Sequence, residues 1–299
     1  MNNLTEKIQQ LCEQKHAIIM AHYYTRPEIQ EVAHFIGDSL ALAQKAQSLE
    51  ADIIVLCGVH FMAQTAKIIC PEKKVLVPGL NAGCSLADSC EANALAELKK
   101  QRPHALVVSY VNTTAAVKAL TDIVVTSSNA EKIVNQLPAD QEIIFGPDRN
   151  LGAYINKVTG RNMILWNGCC HVHNRFTKEQ VEELKKQYPK AIVLAHPECQ
   201  EQVLELADVV GSTAALINFA KHHDYEQYIV VTEPGILYEL QKTCPDKQFI
   251  TIPNECESMK LTTLEKLYDC LLHEQPEIQV DAAIAQKAIK PIQRMLDLS

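Results

Sequence analysis

Short apolar runs recur along this chain at a fixed interval, and each run closes on polar residues. "AIIMAHYY" begins at Ala17, "ALVVSYVN" at Ala105 and "AIVLAHPE" at Ala191, spaced by 88 and 86 residues. "FIGDSLALAQ" around Ser39, "VVTSSNAEKI" around Ser127 and "VVGSTAALIN" around Thr213 repeat the same intervals. "IVLCGVH" from Ile54, "IIFGPDR" from Ile143 and "IVVTEPG" from Ile229 form a third set, slightly offset at its first member. "VLVPGLNAGC" from Val75, "MILWNGCC" from Met163 and "FITIPNEC" from Phe249 form a fourth. Between the runs lie stretches with apolar residues at three- and four-residue steps, such as "SCEANALAELKKQ" and "TKEQVEELKKQY". These read as helices, with lysines near their carboxyl ends. In "SSNAEKIV", Ser128 and Glu131 have the spacing of a capping box.

Such a pattern predicts buried parallel strands joined by crossover helices. A unit of about 87 residues buries only a modest core alone, so three units should pack as one body. No linker-like or low-complexity tract separates them. The expected fold is α/β: three three-layer α/β/α domains around a pseudo-threefold axis, each with a parallel sheet of about four strands. The expected units are residues 1–87, 88–175 and 176–299. The last includes a closing helix in "DAAIAQKAIKPIQRMLDL", interrupted or kinked before Pro291.

Composition narrows the class. Of 299 residues 47% are hydrophobic and 21% charged, ordinary for a soluble globular chain. A formal charge of −8 argues against a nucleic-acid or membrane-surface partner. No apolar run is long enough to span a bilayer, and the amphipathic, acid-containing start resembles no targeting signal. A cytoplasmic location follows, where cysteines of interest are catalytic or metal-bound.

Binding residues of parallel α/β sheets gather at the carboxyl ends of strands and at the helix starts beyond them. First-strand ends carry His22 and Tyr24, Tyr110 and Asn112, His196 and Glu198. Second-strand ends carry Ser39, Ser127 and the pair Ser212–Thr213; these also suit helix caps, and a cap can face a ligand. Fourth-strand ends carry Cys84, Cys170 and Cys256, spaced by 86 residues each time. Threefold packing would bring the three thiols to one point. Structural zinc wants four ligands, usually in short paired spacings. Three converging thiolates match instead a [4Fe–4S] cluster with one open iron, a Lewis acid able to assist loss of water.

The other cysteines do not repeat. Cys12, Cys57, Cys70 and Cys270 lie in apolar-patterned stretches and read as small buried hydrophobes. Cys90, Cys169, Cys199 and Cys244 are less clear, and Cys90 or Cys169 could exchange for a neighbouring ligand. His60 and Glu233 end third strands and lie within reach of the same rim, whereas His16, His34, His104, His222, His223 and His273 look structural or solvated.

Taken in order, "AHYY", "GDSL", "CGVHFMAQTAKI", "GCSLAD", "SYVNT", "TSSNA", "GPDRNLG", "WNGCCHVH", "HPEC", "GSTAA" and "TEPGI" make nearly the whole chain resemble the quinolinate synthase family of de novo NAD biosynthesis. That resemblance implies a triangular assembly of three α/β domains with an axial [4Fe–4S] cluster. It implies Cys84, Cys170 and Cys256 as ligands, and selects Cys170 over Cys169 because it stands three before the second histidine of "CHVH". It further implies a pocket of His22, Ser39, Tyr110, Asn112, Ser127, His196, Glu198 and Thr213, completed by Tyr24, His173 and Ser212. Tyr24, His22, Glu198, His173 and Tyr110 are the candidate catalytic groups among them. The implied reaction condenses iminoaspartate (iminosuccinate) with dihydroxyacetone phosphate to quinolinate, phosphate and two waters, with coupling to an aspartate-oxidising enzyme that makes the imine. The residues alone also admit another cluster-dependent hydro-lyase, an electron-transfer or redox-sensing protein with Cys90 or Cys169 as fourth ligand, and a structural-zinc scaffold.

Overall fold

Side chains alternate between the two faces of a strand, so a strand buried throughout needs a core on each side. In the computed structural model, which describes residues 3–299, the apolar runs form three parallel four-stranded sheets, and the two central strands of each are buried nearly throughout. The first sheet holds β1 (Ala17–His22), β2 (Phe35–Gly37), β3 (Ile53–Cys57) and β4 (Lys74–Leu76). The second holds β5 (Leu106–Tyr110), β6 (Ile123–Val125), β7 (Ile143–Gly146) and β8 (Ile164–Leu165). The third holds β9 (Ile192–Ala195), β10 (Val209–Val210), β11 (Gln227–Val231) and β12 (Gln248–Thr251). The spatial order is the same in all three: β2-β1-β3-β4, β6-β5-β7-β8 and β10-β9-β11-β12. Every pairing is parallel. The expected α/β architecture with three four-stranded sheets is thus present.

One face of each sheet meets a large shared core, and the other meets a core of its own. Met20, Ile54 and Leu56 of the first sheet, Val108 and Phe145 of the second, and Leu194 and Val230 of the third belong to the shared core. Their neighbours in sequence point outward. Ile19, Ile53 and Val55 pack with Ile8, Leu267 and Leu271 of the helices Asn3–Gln14 and Leu264–His273. Val107 and Ile144 pack with Leu95 of the helix Ala92–Gln101. Val193, Ile229 and Val231 pack with Val181 of the helix Lys178–Gln187. Parity therefore sends His22, two residues after Met20, and Tyr110, two after Val108, toward the shared interior. His196, two after Leu194, follows them.

Local chemistry sets the helix ends. Thr177 and Gln180 form a full capping box at the start of the helix Lys178–Gln187. The expected box at Ser128 does not form. The helix starts at Ala130, and the Ser128 hydroxyl donates instead to Asp38 Oδ2 at 2.6 Å. Asn129 Oδ1 accepts from the Thr126 amide at 2.6 Å, so a side-chain-closed turn takes the place of the cap. The helix Ala282–Leu298 runs unbroken through Pro291. Burial of Ala288, Ile292 and Met295 against β6 and the helices Ala115–Lys118 and His60–Ile69 offsets the hydrogen bond that proline removes. That helix, read from sequence with the third unit, packs against elements of the first two. No described helix is long and apolar enough to cross a membrane.

Cys12, Cys57, Cys70 and Cys270 are all buried in apolar cores, as their sequence context suggests. Ile8 is fully buried in the outer core of the first sheet. Ile8→Ala should lower the unfolding free energy by about 3 kcal/mol, read as a shift of the urea midpoint at unchanged slope.

Candidate active site

The shared interior opens where the strands end. One cavity of about 740 Å³, counted out to its mouth, receives side chains from all three sheets. First-strand ends supply His22 and Tyr24, Tyr110 and Asn112, His196 and Glu198. After the second strands, helix starts supply Ser39 and Thr213, and the turn before Ala130 supplies Ser127. Loops after the fourth strands supply Cys84, Cys170 and Cys256, and the turn His173–Arg175 behind Cys170 adds His173.

Ser212 is not among the lining residues. Its hydroxyl is engaged as the cap of the helix Thr213–His222, accepting from the Ala215 amide at 3.3 Å. The other expected caps fall elsewhere too. Asp38, not Ser39, caps the helix Ser39–Gln47, and neither Ser127 nor Thr213 caps a helix, which leaves those hydroxyls for the cavity. Glu233 lines the cavity, whereas His60, Cys90 and Cys169 do not. Cys90 sits in the outer core of the second sheet, its thiol pushed up to about 12 by burial.

A continuous chain of hydrogen bonds crosses the cavity floor. The Thr213 and Thr232 hydroxyls each lie 2.8 Å from the Tyr24 phenol oxygen. Thr232 Oγ1 is 2.8 Å from His173 Nε2, and His173 Nδ1 is 2.7 Å from Glu198 Oε2. A single direction satisfies every link: Thr213 to Tyr24, Tyr24 to Thr232, Thr232 to His173, and His173 to the carboxylate. Such a wire can shift a proton along its length. His173 also stacks on His196, with ring centroids 4.5 Å apart, and its Nδ1 lies 3.4 Å from Cys170 Sγ.

Burial sets the protonation pattern. It drives His22 from its ordinary 6.5 to about 3, with Glu198 opposing and Lys260 assisting. It also drives His196 to about 3, His173 adding to the fall and Glu198 opposing. Both imidazoles are therefore neutral at pH 7. The Tyr24 amide donates to His22 Nδ1 at 3.1 Å and the Glu198 amide to His196 Nδ1 at 3.3 Å, so each ring keeps its proton on Nε2. Burial opposes the charge of Glu198, but His173 and then His196 outweigh it, and its carboxyl falls below the usual range. Tyr24 and Tyr110 are held as phenols by burial.

The three thiols respond to one another. Burial pushes Cys84 up to about 12, with smaller contributions from Glu198 and Cys256. Burial also raises Cys170, with Glu198 and Cys84 adding to the rise. Cys256 is raised by burial and by Glu233. Against this, backbone N–H groups from the turn after each cysteine favour the thiolate: Ala87 and Leu86 for Cys84, His173 for Cys170, Met259 and Ser258 for Cys256. Cys170, His173 and Glu198 also hold metal-ligating atoms within 4.8 Å of one another. Two buried oxygens, Asn112 Oδ1 and Glu198 Oε1, have no protein partner and line the space a ligand would fill.

Sequence reasoning missed Asp38, Thr126, Thr232, Asp148 and Lys260. Asp38 was visible as the capping residue before Ser39, and Thr232 stands beside Glu233 in "VTEPG". Lys260 lies in an irregular segment with no periodic signal.

Residues 6–297 match the family model described as quinolinate synthetase A protein. The chain belongs to that family. Similar curated proteins include the quinolinate synthase of Rippkaea orientalis, 53% identical across all of this chain and 94% of the relative. That of Thermosynechococcus vestitus is 53% identical across 99% of this chain and 96% of the relative. That of Synechocystis sp. is 52% identical, with the same coverage of 99% and 96%. As a quinolinate synthetase A family member the chain is an enzyme, and the cavity where its three sheets meet is the candidate active site.

Neutral His22 and His196 give this family member an acid-sensitive fold. The unfolded chain takes up protons near 6.5, but the folded rings resist until about 3. Their contribution is complete above 6.5 and drains away as pH falls toward 3. Asp148, raised from 3.8 to about 7 chiefly by burial, acts in the opposite sense, but one group does not cancel two. Urea titrations of the metal-free chain should show stability falling from pH 6.5 downward, and His22→Gln should remove about 1.4 kcal/mol per pH unit of that slope. An unchanged slope would contradict the neutral assignment.

Proposed function

We propose that the chain condenses iminoaspartate with dihydroxyacetone phosphate to give quinolinate, phosphate and two waters. The observation that carries this reading is the meeting, in one cavity of a quinolinate synthetase A family member, of three thiols with a wire of proton carriers. Cys84, Cys170 and Cys256 would hold a [4Fe–4S] cluster, as its three protein ligands. The donor set suits that cofactor: three free thiols, one from each sheet's fourth-strand loop, each facing backbone N–H groups that favour the thiolate. When bound, the cluster supplies a Lewis-acid iron that assists departure of a hydroxyl.

The protein's own groups do the rest. Ser39, Ser127 and Asn112 donate to substrate carboxylates and phosphate, aided at Ser39 and Thr213 by the free amides of helix starts. His22 and His196, neutral with Nε2–H free, hold carbonyl or carboxylate oxygen without adding charge. Glu198 takes protons released in enolisation, and the His173–Thr232 link passes them to and from Tyr24. Tyr110 donates across the cavity from the second sheet. An aspartate-oxidising enzyme supplies the imine.

One observation favours a second reading. The cluster of Cys170, His173 and Glu198 has the makings of a mononuclear metal site that needs neither Cys84 nor Cys256. Anaerobic purification separates the two. The proposal expects about four irons and four sulfides per chain and quinolinate formed from both substrates. Serine at position 84, 170 or 256 should each abolish cluster and turnover, while Cys90→Ser keeps both. Metal and activity surviving in Cys84→Ser and Cys256→Ser would favour the mononuclear site and overturn the cluster assignment.

A further inference from the structure

Two fully buried carboxylates at the ends of third strands have no part in the chemistry above, yet each holds the main chain of a cysteine. Asp148 follows β7; its Oδ1 accepts the Leu151 amide at 2.9 Å, and its Oδ2 accepts the Cys170 amide at 2.9 Å. Glu233 follows β11; its Oε2 accepts the Gly235 amide at 2.6 Å, and its Oε1 accepts the Cys256 amide at 3.2 Å. The two stand at matching places in the second and third sheets. The first sheet differs: β3 is followed by His60, whose amide donates to the Ala82 carbonyl at 2.8 Å, so main chain alone ties that strand end to the Cys84 turn.

Glu233 has a further arm. Its Oε1 lies 2.9 Å from Lys260 Nζ, four residues beyond Cys256. Lys260 Nζ also donates to the Tyr24 carbonyl at 2.7 Å, and the Lys260 carbonyl accepts from Arg26 Nε at 2.7 Å. The Cys256 turn is thereby tied to the turn that carries Tyr24, across from the third sheet to the first. A buried carboxylate adds little net stability beside an apolar side chain, because desolvation consumes most of what its bonds return. Its value lies in direction. A cysteine whose amide is fixed by a buried carboxylate has its Cα–Cβ direction set and only rotation about that bond left to its sulfur, and metal centres depend on such supporting bonds.

We propose that Asp148 and Glu233 are positioning residues for the metal centre. Asp148 sets the Cys170 turn; Glu233, with Lys260, sets the Cys256 turn and couples it to Tyr24. This rests on the ligand assignment made above.

The test uses anaerobically purified holoenzyme and the rate at which an iron(II) chelator strips iron, followed by absorbance, beside KM and kcat. Asp148→Asn and Glu233→Gln should each lose iron roughly 10-fold faster than wild type or more. Ile8→Ala, which weakens the chain far from the cavity, should lose iron at the wild-type rate. Glu233→Gln should also lower kcat through Tyr24, whereas Asp148→Asn should not once corrected for iron content. Glu233→Gln/Lys260→Met removes both charges together, leaves no unpaired buried ion and should still lose iron fast. Wild-type iron loss in the Asp148 and Glu233 variants, or equal acceleration in Ile8→Ala, overturns the proposal alone. A wild-type enzyme that carries no iron cluster sinks the ligand assignment, and this proposal with it.

Discussion

Parallel strands buried on both faces leave little room for polar side chains along their length; Ser109 is buried within β5 only because Thr121 pairs its hydroxyl. Everything else in this molecule follows from that constraint. Each sheet faces a shared core on one side and its own helices on the other, so chemistry is expelled to the carboxyl ends of the strands. Three sheets with one strand order, repeated at nearly constant spacing, bring those ends to a single cavity. Strand parity then chooses the side chains. His22, Tyr110 and His196 enter the interior because they lie two residues beyond Met20, Val108 and Leu194, which already face it.

Gathering polar groups in so dry a place is costly unless they satisfy one another. The repeats solve this with the same local device. A backbone amide two residues on occupies Nδ1 of His22 and of His196, which fixes the tautomer while burial keeps the ring neutral. The second sheet departs from the device, placing Tyr110 where its sisters place histidine. The result is a cavity in which the Glu198 carboxylate, held below its usual range, shares the interior with the neutral His22 and His196 rings. Glu198 is tolerable there because His173 Nδ1 donates to it at 2.7 Å.

The period of the chain revealed all twelve strands: burial writes the central ones as Val- and Ile-rich runs, and the short, half-buried edge strands show through their matching offsets. It revealed the cavity's rim for the same reason: residues at matching offsets must end up at matching places. What the period could not show was anything that breaks it. At the place shared by Asp38 and Ser212, which both cap helices, the second unit has Thr126, which caps none. Ser128 and Glu131 carried the right spacing for a cap, but a turn closed by Asn129 competed locally and won. Pro291 was a fair helix breaker by propensity, and tertiary burial overrode it. Lys260 and Thr232 owe their importance to partners hundreds of residues away, on the turn bearing Tyr24, which no local pattern encodes.

The same burial that assembles the cavity works against its proposed ligands. Dry surroundings, the Glu198 charge and the neighbouring sulfurs all favour protonated thiols at Cys84 and Cys170. A cation among them reverses every one of those signs, since each negative neighbour that opposes a bare thiolate then helps to hold positive charge. Metal entry must therefore expel protons, at a cost that rises with the pKa of each thiol. Under that condition the sulfurs have to be aimed before the metal arrives, because no favourable charge yet draws them inward. Rigid main-chain anchoring of the cysteine turns is then a requirement of the electrostatics, and buried acceptors such as Asp148 and Glu233 are the kind of side chain able to provide it.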